Sequence, residues 1–146
     1  MATTLSADPT TVANRLRPAL LRLNRELRRE LHSLGVSGQQ VSLLIKIQKE
    51  RGIGLRELAR WERMSTPGMS KHVARLEAAG LVRRTEVEDK RRIGLELTPE
   101  GTRVLASVKR RRTAWLAERL RGLSPEELDA VDAAVEPLLK LLEVSA

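Results

Sequence analysis

GLRELARWERMSTPGMSKHVARLEAAGLVRRTEVEDKRRIGLELT fills residues 54–98 of the chain. Leu55, Leu58 and Ala59 fall at i, i+3 and i+4, the spacing of one helix face. Met64 closes that run. Ser65 follows as an N-cap whose hydroxyl can take a free amide of the next turn. Thr66 opens a second helix, and Pro67 sits in its first turn, where a missing N–H costs little. Met69, Val73 and Leu76, with Leu81 and Val82 beyond, are spaced to pack on the first helix. Gly80 stops the second helix as a left-handed cap.

The face left over carries Thr66, Gly68, Ser70, Lys71 and Arg75. These side chains are small, hydroxylic or cationic. A helix built for the major groove needs short hydrogen-bonding groups at its N-terminus and cations nearby. Leu81–Val87 and Ile93–Leu97 then alternate apolar and polar residues, as half-buried strands do. Between them stand Glu88, Asp89, Lys90, Arg91 and Arg92. Three adjacent cations there serve phosphates or a narrow minor groove better than packing. Asp89, two residues before Arg91, can hold that guanidinium by a charge-assisted bond.

These residues resemble the MarR family of winged helix-turn-helix regulators. DKRRIGLELT, residues 89–98, matches the family's wing pattern of Asp-x-Arg followed by a strand ending in Leu-Thr, carried here by Asp89, Arg91, Leu97 and Thr98. RLEAAGLVRR, residues 75–84, resembles the exit of the family's recognition helix, and SGQQ, residues 37–40, resembles the capped start of its second helix. The likeness spans about residues 13–142. Glu62 and Gly54 depart from the pattern, standing where an apolar residue and a hydroxylic cap are usual. The resemblance implies that Arg91 enters the minor groove and that Asp89 positions it.

Composition agrees with a polyanionic partner. The 146 residues carry 27 basic and 19 acidic side chains, a net charge of +8, which favours nucleic acid. Residues 123–146 run against this, with six acidic residues and one basic. That acidic end is expected to lie away from DNA, against the basic first helix of a partner. Two Trp and no Phe or Tyr leave the core to Leu, Val, Ala, Ile and Met. The absence of cysteine excludes thiol redox sensing, disulfides and cysteine metal sites. Without a signal-like segment or a membrane-length apolar run, the chain reads as cytoplasmic.

Strong helices flank the central stretch. Asp8-Pro9 reads as a cap and a first helical residue. Val12, Leu16, Ala19, Leu20, Leu23, Leu27 and Leu31 then recur every three or four residues, predicting one amphipathic helix to about Ser33. Its other face carries Arg15, Arg22, Arg25 and Arg29. After Gly35, Ser37 and Gln40 form a capping box ahead of a largely apolar helix, Val41–Gln48. Arg51–Gly54 is a short link with a strand residue to complete the wing sheet. Thr98-Pro99-Glu100 opens another helix, whose buried side is marked by Val104, Leu105, Val108, Trp115, Leu116 and Leu120. Lys109–Arg112 interrupts that stripe and must send one or two cations inward, as a solvated run or as the lining of a cleft. Ser124–Glu127 is a second capping box, and Leu128, Val131, Val135, Leu138, Leu139 and Leu142 form the last stripe.

The fold class is thus mainly α with a small β-hairpin wing. A winged helix-turn-helix lobe (35–98) stands between an N-terminal dimerisation helix (1–34) and C-terminal helices completing the dimer base (99–146). The candidate DNA-binding residues are Ser65, Thr66, Pro67, Gly68, Ser70, Lys71, His72 and Arg75 on the second helix, and Asp89, Lys90, Arg91 and Arg92 in the wing. No metal-ligand spacing, phosphate loop or nucleophile elbow is present, so neither catalysis nor a cofactor is expected. The partners expected are double-stranded DNA and a second copy of the chain, acting as a repressor. Resemblance to the family also implies a small aromatic effector between lobe and dimer base, with Trp61, Arg111 and Trp115 as candidate contacts. Two other readings stay open: a non-specific architectural DNA-binding protein, and a winged-helix module for protein or RNA.

Overall fold

The computed structural model describes residues 6–86 and 93–143. Six α-helices and three short strands follow in the order α1 (Pro9–Arg29), α2 (Gly38–Lys49), β1 (Ile53–Gly54), α3 (Leu55–Trp61), α4 (Thr66–Ala78), β2 (Val82–Glu86), β3 (Ile93–Leu97), α5 (Pro99–Leu120) and α6 (Pro125–Lys140). The chain falls into two compact units, Met1–Arg111 and Arg112–Ala146.

The first unit holds the core. Leu43, Leu44 and Ile47 of α2, Leu58 of α3, Met69, Val73 and Leu76 of α4 and Leu105 of α5 are all fully buried. The small antiparallel sheet has the order β1-β3-β2. Its register pairs Ile53 with Leu95, Val82 with Leu97 and Arg83 with Glu96. Ile53, Leu95 and Val82 thereby share the face turned to the core, each nearly buried.

The predicted caps form as hydrogen bonds. Asp8 accepts from the Thr11 amide at 3.0 Å. Ser37 and Gln40 exchange the two bonds of a capping box, and so do Ser124 and Glu127. The side-chain bond to the Ser124 amide holds the Glu127 carboxyl below the usual carboxylate range. Gly54 heads α3 without a side-chain cap bond.

The first helix ends earlier than its apolar repeat suggests. α1 stops at Arg29, and a single 3-10 turn, His32–Leu34, follows. Leu31 has left the helix stripe and is fully buried in the core of the first unit, which also includes Val36. Burial of one leucine in a packed interior outweighs one more helical turn in solvent. Among the described residues no helix is long and apolar enough to cross a membrane.

Candidate nucleic-acid interface

α4 presents its face as the sequence requires. Ser65 caps it, its Oγ accepting from the Gly68 amide at 3.1 Å. Met69, Val73 and Leu76 point into the core, which turns Thr66, Pro67, Lys71 and Arg75 to solvent. Gly68, Ser70 and His72 are half-buried at the margins of that face. Lys71 and Arg75 lie one turn apart, so two cations stand side by side beyond an N-terminal turn of small groups. Ser65 is exposed, and its hydroxyl is already committed to the cap. Asp89, Lys90, Arg91 and Arg92 lie outside the described residues.

The turn from α3 into α4 is set by an unusual residue. The Arg63 amide donates to the Arg60 carbonyl and the Met64 amide reaches back to the Ala59 carbonyl at 2.9 Å, the paired bonds of a Schellman ending. Such an ending needs a left-handed residue, and here Arg63 supplies it, at φ 56°. Glycine is the usual occupant, because a side chain in that conformation costs about 1–2 kcal/mol. Arg56 and Arg60 are exposed one turn apart on the preceding helix, and the exposed Arg63 lies in the turn that follows it. The first helix of a helix-turn-helix crosses the DNA backbone, so this row of cations belongs with the candidate interface. Apolar spacing does not mark these arginines; their own recurrence every three or four residues, at 56, 60 and 63, does.

Glu62 also has a structural explanation. Its Oε1 accepts from Ser42 Oγ at 2.9 Å in a partly buried position. A paired polar contact with α2 replaces the apolar one usual there.

The far end of α4 is fastened to α5. Gly80 takes the left-handed conformation at φ 75°, and the Leu81 amide closes onto the Leu76 carbonyl at 3.0 Å. Thr98 then bridges the two helices. Its amide donates to the Leu81 carbonyl at 3.1 Å, its hydroxyl donates to the Gly80 carbonyl at 2.5 Å, and the same Oγ1 accepts from the Gly101 amide at 3.0 Å. One threonine therefore caps α5 and anchors the exit of α4.

Trp61, Arg111 and Trp115 each have a local partner. Trp61 is 46% exposed, with the Lys46 ammonium 5.1 Å from its ring centroid, a cation–π distance. Arg111 donates to Ser33 Oγ at 2.6 Å. Trp115, in the second unit, has the Arg119 guanidinium 5.1 Å from its ring centroid. Of the run Lys109–Arg112, Arg112 is half-buried and the other three are exposed. Among the described residues no group of three or more His, Asp or Glu is placed to hold a metal ion.

With this geometry in place, comparison with known proteins is decisive. A family model described as "MarR family" matches residues 34–93. An HTH-type transcriptional regulator of Mycobacterium bovis is 33% identical over 135 residues, which cover 92% of this chain and 94% of that protein. The chain belongs to the MarR family. An HTH-type transcriptional regulator of Mycobacterium leprae is 30% identical, also over 135 residues. Among solved structures, a MarR family protein from Bacillus stearothermophilus superimposes with a TM-score of 0.80 at 24% identity, covering 95% of this chain and all of that one. Streptococcus pneumoniae FabT in complex with DNA gives a TM-score of 0.70 at 20% identity, covering 89% of this chain and 96% of that one. The winged-helix architecture is therefore shared with MarR proteins across the described lobe and its flanking helices, and the chain is a MarR-family transcriptional regulator.

Proposed function

We propose that this MarR-family chain is a homodimeric, sequence-specific DNA-binding repressor. The solvent-facing surface of α4 carries the reading: small and hydroxylic groups at a capped N-terminus, followed by Lys71 and Arg75. Such a face suits hydrogen bonds to base edges in a major groove with cations against the adjoining phosphates. Arg91, oriented by Asp89, enters the flanking minor groove, and Lys90 and Arg92 lie along its phosphates. The DNA complex of FabT, a protein of the same architecture, supports that use of the fold.

Dimerisation is supported by apolar faces left open in the single chain. α1 buries none of its residues and exposes Val12, Leu20, Leu21 and Leu23. α6 likewise exposes Leu128, Val131, Val135 and Leu139. A second copy covers these faces, with residues 1–34 and 99–146 forming the dimer base and residues 35–98 the DNA-reading lobe. Two-fold symmetry then places half-sites about one helical turn, ~10 bp, apart in a pseudo-palindrome. Release by a small effector is the regulatory part of the proposal. Such a ligand acts by binding the DNA-free arrangement more tightly than the bound one.

Arg91→Ala is expected to weaken specific binding by roughly 1–3 kcal/mol. A gel-shift titration on an operator duplex measures this, with a large excess of unrelated DNA as competitor. Unchanged affinity in the folded variant removes the wing from the proposal. Competition by unrelated DNA on equal terms favours the architectural reading instead.

Arg63→Gly separates stability from binding. Relief of the left-handed arginine is expected to raise stability by about 1 kcal/mol. Loss of a phosphate contact is expected to flatten the slope of log affinity against log salt by about 1. Thermal melts and salt-dependent titrations read the two effects. A variant with an unchanged salt slope excludes Arg63 from the interface.

A further inference from the structure

Glu96 stands between Leu95 and Leu97 on β3, where strand alternation turns a side chain away from the core. It is nevertheless only 7% exposed. Two arginines cover it. Arg83 Nε, from the opposing position on β2, donates to Glu96 Oε1 at 2.7 Å. Arg51 Nε, from the link between α2 and β1, donates to Oε2 at 2.6 Å. The hydrogen bond from Arg83, and then that from Arg51, hold the Glu96 carboxyl below the usual carboxylate range. The arginine side chains themselves remain 57% and 78% exposed. The carboxylate therefore grips each guanidinium by its Nε edge and leaves much of each cation open to a ligand.

Beside this triad lies a cavity of about 330 Å³, at the small end of the range for ligand sites. Leu97 and Pro99 give it aliphatic walls, backed by the buried Ile47, and Gln48 and Thr102 supply polar groups. Lys109 Nζ, 3.4 Å from Gln48 Oε1, lies outside that lining. Two guanidiniums and one carboxylate leave a surplus of one positive charge, enough to balance one monoanion. Pre-orientation by a fixed carboxylate suits guanidiniums to planar recognition of a second carboxylate. The aliphatic walls disfavour inorganic oxyanions, whose every face needs hydrogen bonds.

We propose that this cavity binds a short aliphatic monocarboxylate. Its carboxylate faces Arg51 and Arg83, and its chain lies on Leu97 and Pro99. Arg83 and Glu96 belong to the two wing strands, so occupancy bears directly on the wing. That consequence, unlike the binding itself, rests on the proposed DNA function.

Calorimetric titration of the full-length protein with hexanoate, and with the uncharged hexanamide, tests the site. Saturable one-to-one binding of hexanoate is expected, with hexanamide weaker by about tenfold or more. Arg51→Lys keeps the charge but loses the fork, and is expected to weaken hexanoate about tenfold. Thr102→Phe, at an exposed position lining the cavity, is expected to abolish binding in a protein whose melting temperature shows it folded. Failure of hexanoate to saturate, equal binding of hexanamide, or undiminished binding to Thr102→Phe overturns the proposal. A gel shift with and without hexanoate reads the second step. Saturable hexanoate binding with DNA affinity unchanged keeps the site and overturns its effector role. Hexanoate binding by a protein that binds no DNA overturns the DNA reading and keeps the site.

Discussion

Gly101→Ala is expected to lower the stability of the lobe by about 3 kcal/mol, the upper range for overpacking a core. For a chain of this size that corresponds to a melting temperature lower by about 10 °C. A β-carbon at residue 101 would lie 2.0 Å from the Leu81 carbonyl oxygen and 3.0 Å from its carbon. Backbone atoms on both sides leave no flexible group to yield. The same carbonyl accepts the Thr98 amide, so relief of the clash must pull the start of α5 from the exit of α4. α4, the proposed DNA-reading helix, then loses the anchor that fixes its far end, and operator affinity should fall with stability. Thermal melts of Gly101→Ala and of Thr98→Ser, which keeps the bridging hydroxyl, measure this. A variant at residue 101 as stable as the parent contradicts the close approach on which the joint depends.

Leu20→Glu combined with Leu23→Glu is expected to convert the proposed dimer to a monomer and to lower operator affinity by about a hundredfold or more. Both side chains are exposed in the single chain, at 44% and 46%, so the lobe should fold unchanged. Four carboxylates brought into one apolar interface by two copies oppose association strongly. A monomer must then engage each half-site alone, without the effective concentration that linkage provides. Sedimentation velocity reads the mass and a gel shift the affinity. A doubly substituted protein that remains dimeric places the interface elsewhere. Substitution is a cleaner test than removing residues 1–33, since that truncation also takes Leu31 from the core of the lobe.

Much of the architecture was legible because its signals are local. Ser65, Ser37 and Ser124 each stand where a hydroxyl meets a free amide, and each forms that bond. Met69, Val73 and Leu76 share one face by spacing alone, and burial of that face fixes the opposite one. The end of α1 was not legible, because Leu31 continues the helical repeat while tertiary packing claims it for the core. Arg63 was hidden for the converse reason. Nothing in an arginine announces a left-handed backbone, and only the two bonds closing the end of α3 require it. The Glu96 triad was out of reach as well. A glutamate between two leucines reads as a solvent-facing strand position, and its partners, Arg51 and Arg83, come from separate segments. The wing cations Lys90, Arg91 and Arg92 remain a reading of the sequence and of its family likeness.

Selection of bound duplexes from a random DNA pool, at physiological salt with the full-length protein, tests the central claim most directly. Recovery of a single inverted-repeat motif is expected, with half-site centres about one turn, ~10 bp, apart. Recovery of bound DNA with no shared motif, from a folded and dimeric protein, would contradict sequence-specific regulation and point to the architectural reading.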